Sequence, residues 1–311
     1  MKKTLKRILS LTLAAVLLVG AFAFTSCGAN NDKVGKETYD KIVDAFQTAP
    51  VAVYMLEKYK EAYFPAFEYE DLGVDPAAFV EEIDNYKSSK DDKIVVKVGV
   101  CGSSNQHWNA VQKVLDDQNA GIYIELVEFT AYNLPNQALA NGEIHLNSFQ
   151  HKAYLQKEMD AQGYDLTVVG DTLIAPLSLY SNKVDTLDEL KALATDTNKI
   201  KIGIPDDATN QARAIKLLES AGLIEVDPAA GYNPEMKHIT GYLYNVEIIP
   251  TTADTLPSLL DDYAACTING TYATQIGLIP SQDALIIESQ GTDGNNPYVN
   301  IIVARTEDLA E

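Results

Sequence analysis

Residues 144–170 read IHLNSFQHKAYLQKEMDAQGYDLTVVG, and this stretch decides the fold class. An apolar strand-like run, IHLNSF, passes into a helix-like segment, HKAYLQKEMDAQG, and then into a second strand-like run, LTVVG. A strand, a helix and a strand in so few residues form the repeating unit of an α/β sheet. The junction carries chemistry as well. Phe149, His151 and Tyr154 sit close together at the head of the helix-like segment. Two aromatic rings and an imidazole at a helix N-terminus suit the wall of a small ligand's pocket better than bond-breaking. The competing reading of the same residues is a helix start with ordinary core aromatics.

The same alternation extends in both directions. IVVKVGV from Ile94 and IYIELVEF from Ile122 read as strands, with a helix over Trp108–Asn119 between them. PNQALANG reads as a short helix closed by Gly142. Further on, IAPLSLYSNKV reads as a crossover, LDELKALA as a helix, KIKIGIP as a strand and Thr209–Ala221 as a helix ending at Gly222. VEIIPT and YAACTIN read as strands, TYATQIG as a helix and YVNIIVAR as a last strand. The pattern predicts parallel α/β sheets in two lobes, with lobe 1 over 94–178, lobe 2 over 179–290 and a return to lobe 1 over 291–311. A cleft between lobes is where a small ligand sits. The sequence has no GxxxxGK[ST], no GxGxxG opening a helix after a strand and no GxSxG elbow.

The N-terminus reads as an export signal. Lys2, Lys3, Lys6 and Arg7 precede an apolar run from Ile8 to Phe24. FTSC, ending at Cys27, resembles a lipobox, so residues 1–26 are expected to be a signal peptide and Cys27 a lipidation site. An ordinary signal peptide with a chance cysteine is the alternative. No second run reaches the roughly 20 apolar residues that span a bilayer. The expected location is the outer face of a cell membrane, held by a lipid anchor through a tether over 27–37. Cys101 and Cys266 lie in apolar strand-like runs and are expected to be buried free thiols rather than a pair. The cysteine and histidine spacings indicate no metal site, and no cofactor is expected. A net charge of −20 argues against nucleic acid as a partner.

Ahead of the alternating region, Thr38–Tyr63 shows helical periodicity through Ile42, Val43, Phe46, Val53, Met55, Leu56 and Tyr59. Pro50 divides it into two helices. Residues 68–93 are acidic and polar and read as a linker that carries one short helix.

Candidate ligand contacts fall at strand-to-helix junctions, beyond the carboxyl ends of strands where open α/β sheets bind ligands. They are Tyr132, Phe149, His151, Asn210, Arg213 and Asn269, with Asn300 at the start of the last strand. Arg213 can grip a carboxylate through two parallel hydrogen bonds, or it can be a surface arginine. Asn210 is three residues from Arg213 and shares its helix face. Asn269 and Asn300 offer amide oxygens to an ammonium, although Asn269 can also be a helix cap. His107 and Trp108 can close one wall, or Trp108 can belong to the core.

At these residues the chain resembles the methionine-binding lipoproteins of bacterial ABC importers, the MetQ/NlpA family. The matching strings are VEFTAYNLPNQALANGEIHLNSFQHKAYL, YDLTVVGDTLIAPLSLYS, KIKIGIPDDATNQARAIKLLESAGLI, INGTYATQIGL and NPYVNIIV. The resemblance covers Lys93 to about Glu307. It implies a two-lobe periplasmic-binding-protein fold of type 2-like topology, capture of methionine or a close derivative, and delivery to an ABC-transporter permease. Position by position, Tyr132, Phe149 and His151 resemble the pocket for the thioether, and Tyr154 looks more like helix packing. Arg213 resembles the carboxylate clamp, and Asn210, Asn269 and Asn300 the polar residues around the head group. Ala208 stands where the family usually has proline. Alternatives are a binding protein for another apolar amino acid or a methionine dipeptide, and an exported enzyme with His151 as general base. A surface adhesin or immune target is a third role, compatible with binding.

Members of the family continue past the segment equivalent to Arg305–Asp308 with helices that end in a PAF-like sequence. In this chain YDKIVDAFQTAPVAVYMLEKYKEAYFPAF, residues 39–67, resembles that segment, and the sequence ends at Glu311. The resemblance implies a circular permutation, with the terminal helices moved to the front, packed on lobe 1 and joined by the linker over 68–93. An unrelated helical insertion is the alternative.

Overall fold

The computed structural model describes residues 34–60, 62–289 and 296–310. The signal peptide and Cys27 lie outside the described residues. Two helices come first, α1 (Lys36–Phe46) and α2 (Ala49–Lys58), then a two-residue strand β1 (Phe64–Pro65) and α3 (Pro76–Asn85). The α/β region opens with β2 (Ile94–Cys101), α4 (His107–Asp117), β3 (Ile122–Phe129), α5 (Pro135–Ala140), β4 (Leu146–Asn147), α6 (Lys152–Gln162), β5 (Leu166–Asp171) and β6 (Leu173–Ile174). It continues through β7 (Leu177–Tyr180), α7 (Leu187–Leu193), β8 (Ile200–Pro205), α8 (Ala208–Ser220), β9 (Ile224–Val226), β10 (Ile239–Tyr242) and β11 (Val246–Thr251). The last elements are β12 (Ala265–Asn269), α9 (Gly270–Gln275), α10 (Pro280–Asp283), β13 (Ala284–Ile287) and β14 (Ile301–Arg305).

Local chemistry sets many of these boundaries. Pro50 stands in the first turn of α2, where its missing N–H costs no hydrogen bond. Gly163 ends α6 in the left-handed conformation, φ 72°, which a side chain would disfavour. Asp207 caps α8 by accepting the Asn210 N–H at 3.0 Å.

Two five-stranded sheets form the lobes. The first has the order β3-β2-β4-β14-β5 and the second β11-β8-β12-β7-β13. Neither is wholly parallel, unlike the expectation from the strand–helix alternation. β2 runs parallel to β3 and β4, and β8 parallel to β11 and β12. β14 is antiparallel to β4 and β5, and β7 antiparallel to β12 and β13. The chain crosses between lobes on entering β7 and again between β13 and β14. A strand that arrives from the other lobe enters its sheet from the opposite end. The segment read as a crossover, IAPLSLYSNKV, therefore contains β7, and its four residues are all buried. Leu177 and Ser178 pair with β12 in the second sheet.

The N-terminal helices cover the first sheet. Tyr39, Ile42, Phe46, Tyr54 and Met55 are buried in one cluster with Val96, Val98 and Val100 of β2 and Trp108 and Leu115 of α4. Phe46 meets the Trp108 ring edge-on at 5.2 Å. Trp108 is thus a core residue. A Cβ on Gly170 of β5 would lie 2.6 Å from Val43, so the bare glycine lets α1 lie against the sheet. β1 pairs with β6, and the Tyr63 hydroxyl reaches Thr274 in α9 at 3.0 Å. The segment over 68–93 carries α3 and is itself docked. Tyr86 and Ser88 both donate to Asp116 of α4 at 2.6 Å. A separate apolar cluster fills lobe 2, built on Leu177, Leu179, Ile202, Ile204, Ile215 and Leu218. Cys101 and Cys266 are both buried free thiols.

Candidate functional site

The ends of β4, β8 and β12 and the start of β14 converge between the lobes. The loop after β4 is braced by three buried amides. Gln150 donates to Asn136 at 2.7 Å and to Asn147 at 3.0 Å, and Asn147 donates to Asn136 at 2.9 Å. This closed set satisfies polar groups that would otherwise be costly to bury, and it fixes Phe149 and His151 on either side of Gln150.

His151 is the N-cap of α6. Its Nδ1 accepts the backbone N–H of Tyr154 at 3.1 Å, which places the ring proton on Nε2. Nε2 faces Oδ1 of Asn210 across the cleft at 3.3 Å. Burial, with Arg213 nearby, pushes the imidazole down to about 3. The ring is therefore neutral, and both nitrogens are engaged. A general base needs an accepting nitrogen turned toward a substrate proton, and this ring offers none.

Asn210 organises the polar end. Its Nδ2 donates to both oxygens of Asp207, at 3.1 and 3.0 Å. Its Oδ1 receives Nη1 of Arg213 at 3.0 Å and Nδ2 of Asn269 at 2.9 Å. Asn269 stands at the N-cap position of α9 but makes no side-chain cap hydrogen bond. Its Oδ1 is buried without a partner among the described residues, and the residue is 6% exposed. Arg213 is buried rather than on the surface, and its guanidinium lies 4.5 Å over the Tyr298 ring. Its Nε and Nη2 donate to the two oxygens of Glu288 at 2.9 and 2.5 Å. The fork expected to hold a ligand carboxylate is thus engaged within the protein, and the Nη1 edge is what remains toward the cavity. A desolvated guanidinium needs a carboxylate near it, which explains the pairing. Burial disfavours the Arg213 charge, but Glu288 outweighs it and the guanidinium is held above its ordinary value.

These residues surround a narrow cavity with room for about 20 Å³ of solvent. All seven candidates, Tyr132, Phe149, His151, Asn210, Arg213, Asn269 and Asn300, line it. Tyr154 lines it too, contrary to its expected packing role. Tyr132, Phe149 and Tyr154 form a triangle with ring centroids 6.0–6.1 Å apart. The cavity has an aromatic end and an amide–guanidinium end. His107 instead lines an adjoining space with Tyr63 and Thr172. Among the described residues, no group of His, Cys, Asp or Glu is placed to hold a metal ion.

Sequence reasoning missed Glu288, Gln150 and Asn136. Glu288 follows β13, a strand not recognised in SQDALIIES. The other two are amides whose neighbours come together only in three dimensions.

The family described as NlpA lipoprotein matches residues 96–311. The chain belongs to the NlpA lipoprotein family. The D-methionine-binding lipoprotein MetQ of Escherichia coli strain K12 is 40% identical over 215 residues, covering 68% of this chain and 75% of that protein. Outer membrane lipoprotein 2 of Mannheimia haemolytica is 36% identical over 218 residues, covering 70% and 75%. Among solved structures, the methionine-binding protein MetQ superposes with a TM-score of 0.62 at 39% identity, covering 69% of this chain and 84% of that one. A nutrient-binding protein from Burkholderia cenocepacia bound to methionine gives 0.61 at 33% identity, covering 68% and 86%. The NlpA match spans all but the first two residues of the two sheets and every residue lining the cavity, and the architecture is the two-lobe binding-protein fold of these neighbours. NlpA-family relatives are substrate-binding proteins of transporters rather than enzymes.

Proposed function

We propose that this protein captures methionine or a close derivative outside the cytoplasm and delivers it to an ABC importer, held at the membrane by lipid on Cys27. The observation that carries the reading is the cavity's division of labour. One end presents the Tyr132–Phe149–Tyr154 triangle, a surface suited to an apolar thioether. The other presents Asn269 Oδ1, a buried acceptor with no partner among the described residues, beside the Nη1 edge of Arg213. A buried acceptor without a donor costs about 1–3 kcal/mol, and a ligand ammonium supplies the donor. A ligand carboxylate meets Nη1. Among the described residues no helix is long and apolar enough to cross a membrane.

Calorimetric titration of ligand-stripped protein tests the proposal. The panel is L-methionine, D-methionine, methionine sulfoxide, methionine dipeptides, leucine and norleucine. Micromolar or tighter binding of at least one methionine derivative is expected. Absence of such binding across every methionine derivative overturns it. Replacement of Cys27 by alanine is expected to release the protein from membranes without altering that affinity.

We also infer that α1, α2 and β1 are the family's C-terminal segment placed at the front of the chain. The family match begins at residue 96 and leaves this segment outside it. The segment nevertheless completes the core of lobe 1. The Tyr39 hydroxyl of α1 donates to Asp308 at 3.2 Å, so the segment after β14 lies beside the start of α1. A chain could run on from one to the other with little rearrangement.

A further inference from the structure

We propose that Glu288 sets the charge that the cavity accepts. Acting through Arg213, it makes the site select a zwitterionic amino acid over the same molecule without its ammonium. The proposal rests on the amino-acid reading above and goes beyond it by assigning a role to a residue outside the cavity wall.

Three observations support it. Among the described residues, Arg213 is the only permanently charged side chain that lines the cavity, and Glu288 engages it from behind through two hydrogen bonds. Glu288 is fixed there. Its N–H donates to the Leu177 carbonyl at 2.9 Å, and its Oε2 also accepts the Leu177 N–H at 3.1 Å. The carboxylate is thus built into the β7–β13 edge of lobe 2 rather than borne on a swinging side chain. His151, at the same polar end, is neutral, with Nδ1 accepting a backbone N–H, and the Tyr298 ring lies against Arg213 without a charge, its hydroxyl held above its ordinary value by burial. Asp207, beyond Asn210, adds negative rather than positive charge and is bonded to the Asn210 amide.

The guanidinium and the carboxylate cancel. An arginine without Glu288 would welcome a lone carboxylate as its counter-ion. With Glu288 present, a ligand that brings only a carboxylate adds uncompensated negative charge to a buried site. A zwitterion adds none. Its ammonium also supplies the donor that Asn269 Oδ1 requires. Glu288 is therefore a positioning residue that acts on ligand charge without touching the thioether.

The test compares methionine with 4-(methylthio)butanoate, the same skeleton without the amino group. In the wild-type protein methionine is expected to bind at least about 100-fold tighter, as in sites where a missing donor leaves buried polar groups unpaired. In Glu288→Gln that ratio is expected to fall at least about tenfold, with the analogue's own affinity unchanged or improved. If the substitution weakens both ligands equally and the ratio holds, Glu288 is only a structural brace and the proposal is overturned. A second measurement needs no variant. Binding of the analogue to wild-type protein is expected to take up a proton, tightening up to about tenfold per pH unit as pH falls from 8 to 5. Methionine is expected to bind without proton uptake. An analogue affinity that is flat across that range also overturns the proposal. If methionine itself does not bind, the methionine reading fails and takes this proposal with it. If methionine binds and only the charge selection is absent, the reading stands and the role of Glu288 falls alone.

Discussion

Asn269 shows why a site residue has to be judged by its hydrogen bonds. At the head of α9 it has the position of a cap, but its amide nitrogen goes to Asn210 and its oxygen has no partner among the described residues. Asn269→Ala is expected to weaken amino-acid binding by roughly 1–3 kcal/mol, with little change in the unfolding midpoint, when titration and thermal unfolding are measured together. Affinity unchanged within twofold removes Asn269 from the head-group contacts. His107 and His151 make a second prediction. Burial pushes each imidazole down to about 3, so each is neutral in the folded chain and protonated in the unfolded chain once pH falls below about 6.5. The unfolded state then binds more protons. Stability is therefore complete above pH 6.5 and declines as pH falls toward 3. Each histidine is expected to cost about 2 kcal/mol between pH 7 and pH 5 in denaturant titrations. His107→Gln is expected to remove its share of that slope, and an unchanged slope refutes the assignment.

At the scale of elements, α1 and α2 are held by burial rather than by their own propensity. Phe46 lies within 5.2–6.1 Å of the Trp108, His107 and Phe67 rings and is fully buried. Phe46→Ala is expected to destabilise the protein by roughly 3–5 kcal/mol in equilibrium unfolding, because the cavity would be lined by rigid aromatic and sheet residues that cannot collapse into it. A loss below about 1 kcal/mol would mean that the helices are a detachable appendage. The helices themselves were legible in the chain: Pro50 stands in the first turn of α2, and Gly163 ends α6, as the local signals require. β7 and β13 were not. LSLY and ALII are short apolar runs without clear periodicity, and it is their pairing with each other, and that of LSLY with β12, that makes them strands.

For the whole molecule, the order of segments is less constrained than their contacts. Tyr39 touches Asp308, and the N-terminal segment also reaches α9 through Tyr63 and Thr274. A rearranged chain that runs from residue 94 to residue 310 and then through residues 36–93, joined by a short polar linker, is expected to fold. Its unfolding midpoint is expected to lie within a few degrees of the original and its ligand affinity to be unchanged. Aggregation of that chain under conditions in which the original folds argues for an insertion specific to this protein.

The sequence by itself determined the α/β class, the two-lobe organisation and seven of the residues that line the cavity, because strand–helix periodicity and short motifs are local along the chain. Tyr132 to Asn300 were legible since each lies where a strand gives way to a helix or a loop gives way to a strand. The tertiary structure alone decided the antiparallel strands β7 and β14, the return of Tyr154 to the cavity wall and the partner of Arg213. Glu288 is 75 residues from Arg213 in the chain. The folded sheet brings its carboxylate behind the guanidinium, and the requirement to neutralise a buried charge makes that contact necessary. Which groups balance one another is a property of burial, and burial exists only once the lobes have formed.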